Sequence, residues 1–198
     1  MTGLVLASKS MARQRMLAAA GIEFEVQPAA IDESAIIETL AGDGQGGRNI
    51  ADCLAELKAL RVSTQLPTCW VIGSDQVLSL GDQIFEKPGS LMEVREHLVR
   101  LRGQMHSLHA AVCVARGGSV VWRYVGEARM HMRGFTDAFL DDYLRVAGAD
   151  VMGSVGAYHV EGRGVQLFSR IDGDLFTVQG MPLLPLLEFL RMQGVART

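Results

Sequence analysis

Leu4-Val5-Leu6-Ala7-Ser8-Lys9-Ser10-Met11-Ala12-Arg13 reads as a buried strand that turns into a helix. The apolar run stops at Ser8 and Ser10, and Arg13 falls on the first turn of a helix spanning Met11 to Ala20 and closed by Gly21. Such a turn is an anion site in outline. The first N–H groups of a helix lack intrahelical partners and the dipole is positive there. Two hydroxyls and a guanidinium add donors shaped for phosphate. The same residues have a plainer reading, in which Ser10 caps the helix and Ser8 is a loop residue.

Outward from that turn, Glu23 to Gln27 reads as a strand with Phe24 and Val26 inward, followed by Ile31-Asp32-Glu33. The glycine-dense segment Ala41 to Gly47 reads as a mobile loop before a helix from Asn49 to Ser63, and no Lys-Ser/Thr follows its glycines as in a phosphate loop. Cys69 to Gly73 reads as a buried strand ending at Ser74-Asp75-Gln76, with Val77 to Phe85 as a hairpin turning at Gly81-Asp82. Ser90-Leu91-Met92-Glu93 is a capping box for a helix reaching Arg102. Strands follow at Met105 to Ala115 and Ser119 to Met132, then a helix from Thr136 to Ala147. Further strands at Val165 to Ile171 and Leu175 to Val178 precede a closing helix, Pro182 to Met192. Hairpins interspersed with helices predict an α/β fold, a mixed sheet with helices packed on it.

A chain of 198 residues, 48% hydrophobic with five prolines, predicts one domain over residues 1–198 with a sizeable core. A formal net charge of -3 gives no reason to expect nucleic acid or an anionic membrane as a partner, so a phosphate ligand must be held by local charge. Cys53, Cys69 and Cys113 are odd in number and lack a Cys-x-x-Cys pair, which fits a reduced compartment. With neither a signal-like N-terminus nor a long apolar run, the expectation is a soluble cytoplasmic protein.

Four charged or polar residues stand in apolar surroundings. On a helical wheel Lys58 falls near the middle of the arc formed by Ile50, Ala51, Leu54, Ala55 and Val62, so its stem snorkels or its head reaches a cleft. Asp75 follows Trp70-Val71-Ile72-Gly73, where a carboxylate suits metal binding or general-base work, or simply makes a turn. Lys87 precedes Pro88, which fixes the direction of the chain there and is compatible with an ordinary solvated lysine. His106 shares a face with Leu108, Ala110 and Val112 and reads as a satisfied core histidine ahead of a catalytic one; His109 lies on the opposite face, which excludes a simple metal pair.

Taken in order, these pieces resemble the Maf family of nucleotide pyrophosphatases, also called septum formation proteins. The matching stretches are the serine turn ending at Arg13, Ile31-Asp32-Glu33, Leu54-Ala55-Glu56-Leu57-Lys58-Ala59 and Ile72-Gly73-Ser74-Asp75-Gln76-Val77. Lys87-Pro88, Gly103-Gln104-Met105-His106, Gly156-Ala157-Tyr158-His159-Val160-Glu161-Gly162 and Gly180-Met181-Pro182-Leu183 complete the set. The resemblance implies two α/β lobes around a long twisted mixed sheet with flanking helices, similar to the inosine triphosphate pyrophosphatases, with the site in a cleft between lobes, and a homodimer. It implies hydrolysis of a nucleoside triphosphate to monophosphate and pyrophosphate with a divalent metal, Mg²⁺ or Mn²⁺.

In that scheme Ser8, Ser10 and Arg13 bind the triphosphate, Lys58 and Lys87 neutralise the leaving pyrophosphate, and Glu33 and Asp75 hold the metal. Asp75 is also the proton acceptor for the attacking water. Gln76 and Glu161 match the branch similar to 7-methylguanosine triphosphate enzymes. Met11-Ala12 departs from the family, and Ala12 offers no ring to stack on a methylated base. The alternatives implied are a UTP- or dTTP-preferring pyrophosphatase and a nucleotide-binding regulator of cell division that does not hydrolyse.

Overall fold

The computed structural model describes residues 3–197. In chain order its elements are β1 (Leu4–Leu6), α1 (Met11–Ala19), β2 (Glu25–Val26), α2 (Glu33–Gly42), α3 (Gly47–Ser63), β3 (Trp70–Leu80) and β4 (Gln83–Phe85). There follow α4 (Leu91–Leu101), β5 (Met105–Arg116), β6 (Ser119–Met132), α5 (Asp137–Ala147), β7 (Phe168–Asp172), α6 (Leu175–Val178) and α7 (Leu183–Met192). Short 3₁₀ turns at Gly148–Gly153 and Arg163–Leu167 fill the connection from α5 to β7.

The strands form one open, mixed seven-stranded sheet in the order β2-β1-β3-β5-β6-β7, with β4 also paired to β3. β3 is its hub. On one edge it pairs antiparallel with β5 from Val71 to Ser79. Its other edge is shared: β1 runs parallel to Trp70, Val71 and Ile72, while β4 returns antiparallel along Leu78, Ser79 and Leu80. The stretch from Gly73 to Val77 therefore lies where one neighbour has ended and the next has not begun.

Strand alternation sends successive side chains to opposite faces. One face packs on α3, where Ile50, Ala51, Leu54, Ala55 and Ala59 meet Val77, Ala111, Cys113 and Ala115. The opposite face carries two clusters. Leu6, Leu17, Ile72, Val112, Val114 and residues of α7 form one; Leu78, Leu98, Leu108, Met130, Leu140 and Tyr143 belong to the other. Ser74 and Gln76 occupy the β3 positions between Ile72 and Leu78 on that face.

Several elements depart from the sequence reading. β3 runs unbroken through Ser74-Asp75-Gln76, because β5 pairs every residue there, so Asp75 stands in mid-strand. The expected strand at Leu175 to Val178 is a helical turn, since the Asp174 carboxylate accepts from the Thr177 N–H at 2.9 Å and caps it. Asp32 caps α2 by accepting from the Ala35 N–H at 3.1 Å, a helix that the sequence reading passed over before the glycine-dense segment. The Val165 to Ile171 strand begins only at Phe168, and β2 is two residues long with Val26 exposed.

His106 is buried at the start of β5, and its Nε2 lies 2.7 Å from the Tyr158 hydroxyl. Burial, helped by nearby His131, pushes its pKa from 6.5 down to about 4. The unfolded chain takes up this proton more readily than the folded one. Stability from the neutral ring is therefore complete above the unfolded value and declines as pH falls toward the folded value. The loss is on the order of 3 kcal/mol. Urea midpoints measured at pH 7 and pH 4.5 should fall clearly more for the wild type than for His106→Gln; equal declines would contradict this assignment.

Candidate active site

Ser10, Ala12, Arg13, Asp75, Gln76, Lys87 and Glu161 line one pocket, together with Leu108, Tyr158, His159, Val178 and Gln179 among others. Ser8, Glu33 and Lys58 do not line it and are connected to its lining residues through the bonds described below. The structure thus brings every sequence-predicted site residue into one connected assembly.

The strand-to-helix turn forms as read. Ser10 is the N-cap of α1, and its hydroxyl accepts from the Arg13 N–H at 3.5 Å. Ser8 is buried, and its hydroxyl oxygen accepts from the Ser10 N–H at 3.3 Å and from Arg13 Nη1 at 3.1 Å. Ser8 therefore holds the guanidinium, and Ser10 fixes the start of the helix at the pocket wall. Arg13 Nε donates to the Gly180 carbonyl at 2.9 Å. Burial lowers the Arg13 pKa, opposed by the charges of Asp75 and Glu33.

Lys58 settles the choice between snorkelling and a cleft. Its Nζ lies 2.8 Å from Glu33 Oε1 and 3.2 Å from Asp75 Oδ1, and its side chain is 7% exposed. Arg13 Nη2 stands 3.7 Å from the same Asp75 oxygen. Two cations thus face two carboxylates; Arg13, Lys58 and Asp75 are buried and need their partners, while Glu33 is partly exposed. Burial raises the pKa of Glu33, yet the combined pull of Lys58, Lys87 and Arg13 leaves it below its ordinary value.

Glu33 reaches this group because Asp32 starts α2 at that point. α2 is tied to the chain beside Lys87 by a bond from the Ser34 hydroxyl to Glu86 Oε2 at 2.7 Å. Lys87 itself is exposed at the pocket rim. From the other face of β3, Gln76 donates its amide hydrogens to the carbonyls of Thr177 and Val178 at 3.0 and 2.9 Å. Carbonyls only accept, so the Gln76 nitrogen is committed and its oxygen is the free atom. Glu161 is an exposed carboxylate that lines the same pocket, with Oε1 3.9 Å from His159 Nδ1.

The sequence reading gave no role to the stretch from Asp174 to Gly180, which holds both Arg13 and Gln76. Its glycine at 180 was visible, but its partners lie more than 100 positions away, beyond any periodic signal. Tyr158 was quoted only within a motif. Gly156 was the available hint to its packing, since a Cβ there would lie 2.3 Å from the Tyr158 ring.

The chain is similar to known proteins over nearly its whole length. The family model for "Maf-like protein" matches residues 3–193. A nucleoside triphosphate pyrophosphatase of Rhodospirillum rubrum is 47% identical over 192 residues, covering 97% of this chain and 95% of its own length. Proteins named 7-methyl-GTP pyrophosphatase from Rhizobium meliloti and Brucella abortus are 46% and 48% identical, each over 96% of both chains.

Replacing Lys58 by Met removes the cation nearest to both carboxylates while keeping most of the apolar stem. Lys58→Met should lower stability by about 3 kcal/mol in urea unfolding at pH 7, and adding Asp75→Asn should restore part of that loss. A Lys58→Met protein as stable as the wild type would show that the buried pair contributes nothing.

Proposed function

We propose, from the premise that this chain belongs to the Maf-like protein family, that it hydrolyses nucleoside triphosphates to the monophosphate and pyrophosphate. The observation that carries the reading is the group of Arg13, Lys58, Glu33 and Asp75 at a pocket that two hydrogen-bond acceptors, Gln76 and Glu161, also line. A molecule that joins several phosphates to a hydrogen-bonding ring has a partner here for each part.

The triphosphate lies against Ser10 and Arg13, with Lys87 facing it from the rim. Asp75 takes a proton from water as the water oxygen attacks the α-phosphorus, and the bond from that phosphorus to the bridging oxygen breaks. The electron pair leaves on pyrophosphate, whose growing charge meets Lys58, Lys87 and Arg13, donors already in place before the reaction. Ser8 acts one step back, by holding Arg13.

Glu33 and Asp75 would hold a divalent cation, Mg²⁺ or Mn²⁺. Both present hard carboxylate oxygens suited to it; Glu33 Oε1 and Asp75 Oδ1 are paired with Lys58 Nζ at 2.8 and 3.2 Å, which leaves the second oxygen of each carboxylate for the ion. Among the described residues no third His, Cys, Asp or Glu joins them. An ion bound by one or two carboxylates completes its shell with phosphate oxygens and water. When bound, it supplies charge neutralisation on the phosphates and polarises the attacked centre.

Gln76 Oε1 and the Glu161 carboxylate are both acceptors. A guanine edge offers them a ring N–H and an amino group, whereas uracil and thymine offer a single N–H flanked by oxygens. The reading is therefore a guanine nucleoside triphosphate, 7-methylguanosine triphosphate included, with Ala12 leaving the ring face uncovered on its side. It includes the removal of modified nucleotides as the purpose of the reaction. The reading extends to a homodimer working in the cytoplasm, where Cys53, Cys69 and Cys113 stay free thiols. Among the described residues no helix is long and apolar enough to cross a membrane.

Purified protein with Mg²⁺ should release pyrophosphate and monophosphate from 7-methylguanosine triphosphate and GTP faster than from UTP or dTTP. Folded Asp75→Asn should lose at least about 100-fold in kcat. Release of orthophosphate in place of pyrophosphate, or near-normal turnover by Asp75→Asn, would contradict the mechanism.

A further inference from the structure

Arg13 and Gln76 share one support. The Gly180 carbonyl accepts from Arg13 Nε at 2.9 Å and lies 3.3 Å from the Ser74 hydroxyl, which also donates to the Ala111 carbonyl at 2.8 Å. Immediately upstream, the Thr177 and Val178 carbonyls hold the Gln76 amide. One short stretch therefore grips both Arg13, assigned above to the phosphates, and Gln76, assigned above to the base.

That stretch is firmly seated. Thr177 is fully buried, and a Cβ on Gly126 of β6 would lie only 2.6 Å from its Oγ1, so helix and strand approach closely there. Val178 belongs to one apolar cluster of the sheet face, while Phe176 and Met181 pack in the other. Gly180 has φ +107°, a conformation that strains any L side chain. Space is not the reason for the glycine, since a Cβ would meet nothing nearer than 3.5 Å. What the glycine permits is the direction of its carbonyl.

An arginine presents its donors in a planar fork. With Nε on Gly180 and Nη1 on Ser8, the plane of Arg13 is set and Nη2 is left toward Asp75 and the pocket. Ser74, fully buried on β3, the strand that also carries Asp75 and Gln76, has one hydroxyl hydrogen, shared between the Ala111 carbonyl at 2.8 Å and the Gly180 carbonyl at 3.3 Å.

We infer that Ser74 and Gly180 are positioning residues, which fix Arg13 through the Gly180 carbonyl, and that the stretch from Asp174 to Gly180 couples phosphate binding to base discrimination. This rests on the nucleotide reading above.

The test combines Gly180→Ala and Ser74→Ala with two readouts. In NMR of the wild type, the Arg13 Nε–H, assigned by its loss in Arg13→Lys, should exchange with solvent slowly. Gly180→Ala should speed that exchange at least tenfold. In steady-state kinetics Gly180→Ala should raise KM for GTP about tenfold and move the GTP-to-UTP ratio of kcat/KM toward one. Ser74→Ala should shift both in the same direction by about threefold. A role in folding alone would lower the melting temperature and the active fraction while leaving KM and the ratio unchanged, and that result overturns the proposal. Rapid exchange of the Arg13 Nε–H in the wild type overturns it as well. If the wild type turns over no nucleotide, the functional reading fails, and the exchange experiment decides the Arg13 contact by itself: protection lost in Gly180→Ala supports it, and no protection overturns it.

Discussion

α3 touches β3 backbone to backbone at Gly73, and the site follows from that contact. A Cβ on Gly73 would lie 2.1 Å from the Ala55 carbonyl oxygen and 2.5 Å from the Ala59 nitrogen, distances no side chain can meet. Ala51, Ala55 and Ala59 recur every four residues, so the helix presents a flat, small-residue face to the strand. Lys58 sits between Ala55 and Ala59 on that helix, and Asp75 comes two residues after Gly73 on the same face of β3. The approach that seats the helix therefore also sets the distance from Lys58 to Asp75.

Placing those charges inside the protein is costly unless they are matched. The match is made locally, with Arg13 and Lys58 against Asp75 and Glu33, which is how the fold holds two cations close together without excess charge. The gap between β1 and β4 supplies the opening. Had either strand extended across Gly73 to Val77, its backbone would have covered this edge of β3. Short neighbours around a long hub strand thus accomplish here what strand-order reversal does in parallel sheets.

Much of this was legible in local patterns. The apolar arc around Lys58 marked it as a lysine facing inward, the serine turn predicted the start of α1, and alternation in β5 put His106 in the core. The direction of the Lys58 head was not legible, because its partners Glu33 and Asp75 belong to other elements. Asp75 was read at a strand end because Ser-Asp-Gln resembles a turn; the ladder with β5 overrides that preference. α6 was read as a strand from Leu-Phe-Thr-Val, where a single cap from Asp174 outweighs intrinsic preference. The Arg13 to Gly180 contact spans 167 residues and leaves no periodic trace.

The central claim is that the pocket places water against the α-phosphorus, with the cations gathered on the departing pyrophosphate. Hydrolysis of a nucleoside triphosphate in H₂¹⁸O, followed by ³¹P NMR of both products, tests it directly. The account predicts the heavy oxygen in the monophosphate and none in the pyrophosphate. Label in the pyrophosphate would place the attack on the β-phosphorus and contradict the roles given to Asp75, Lys58 and Lys87.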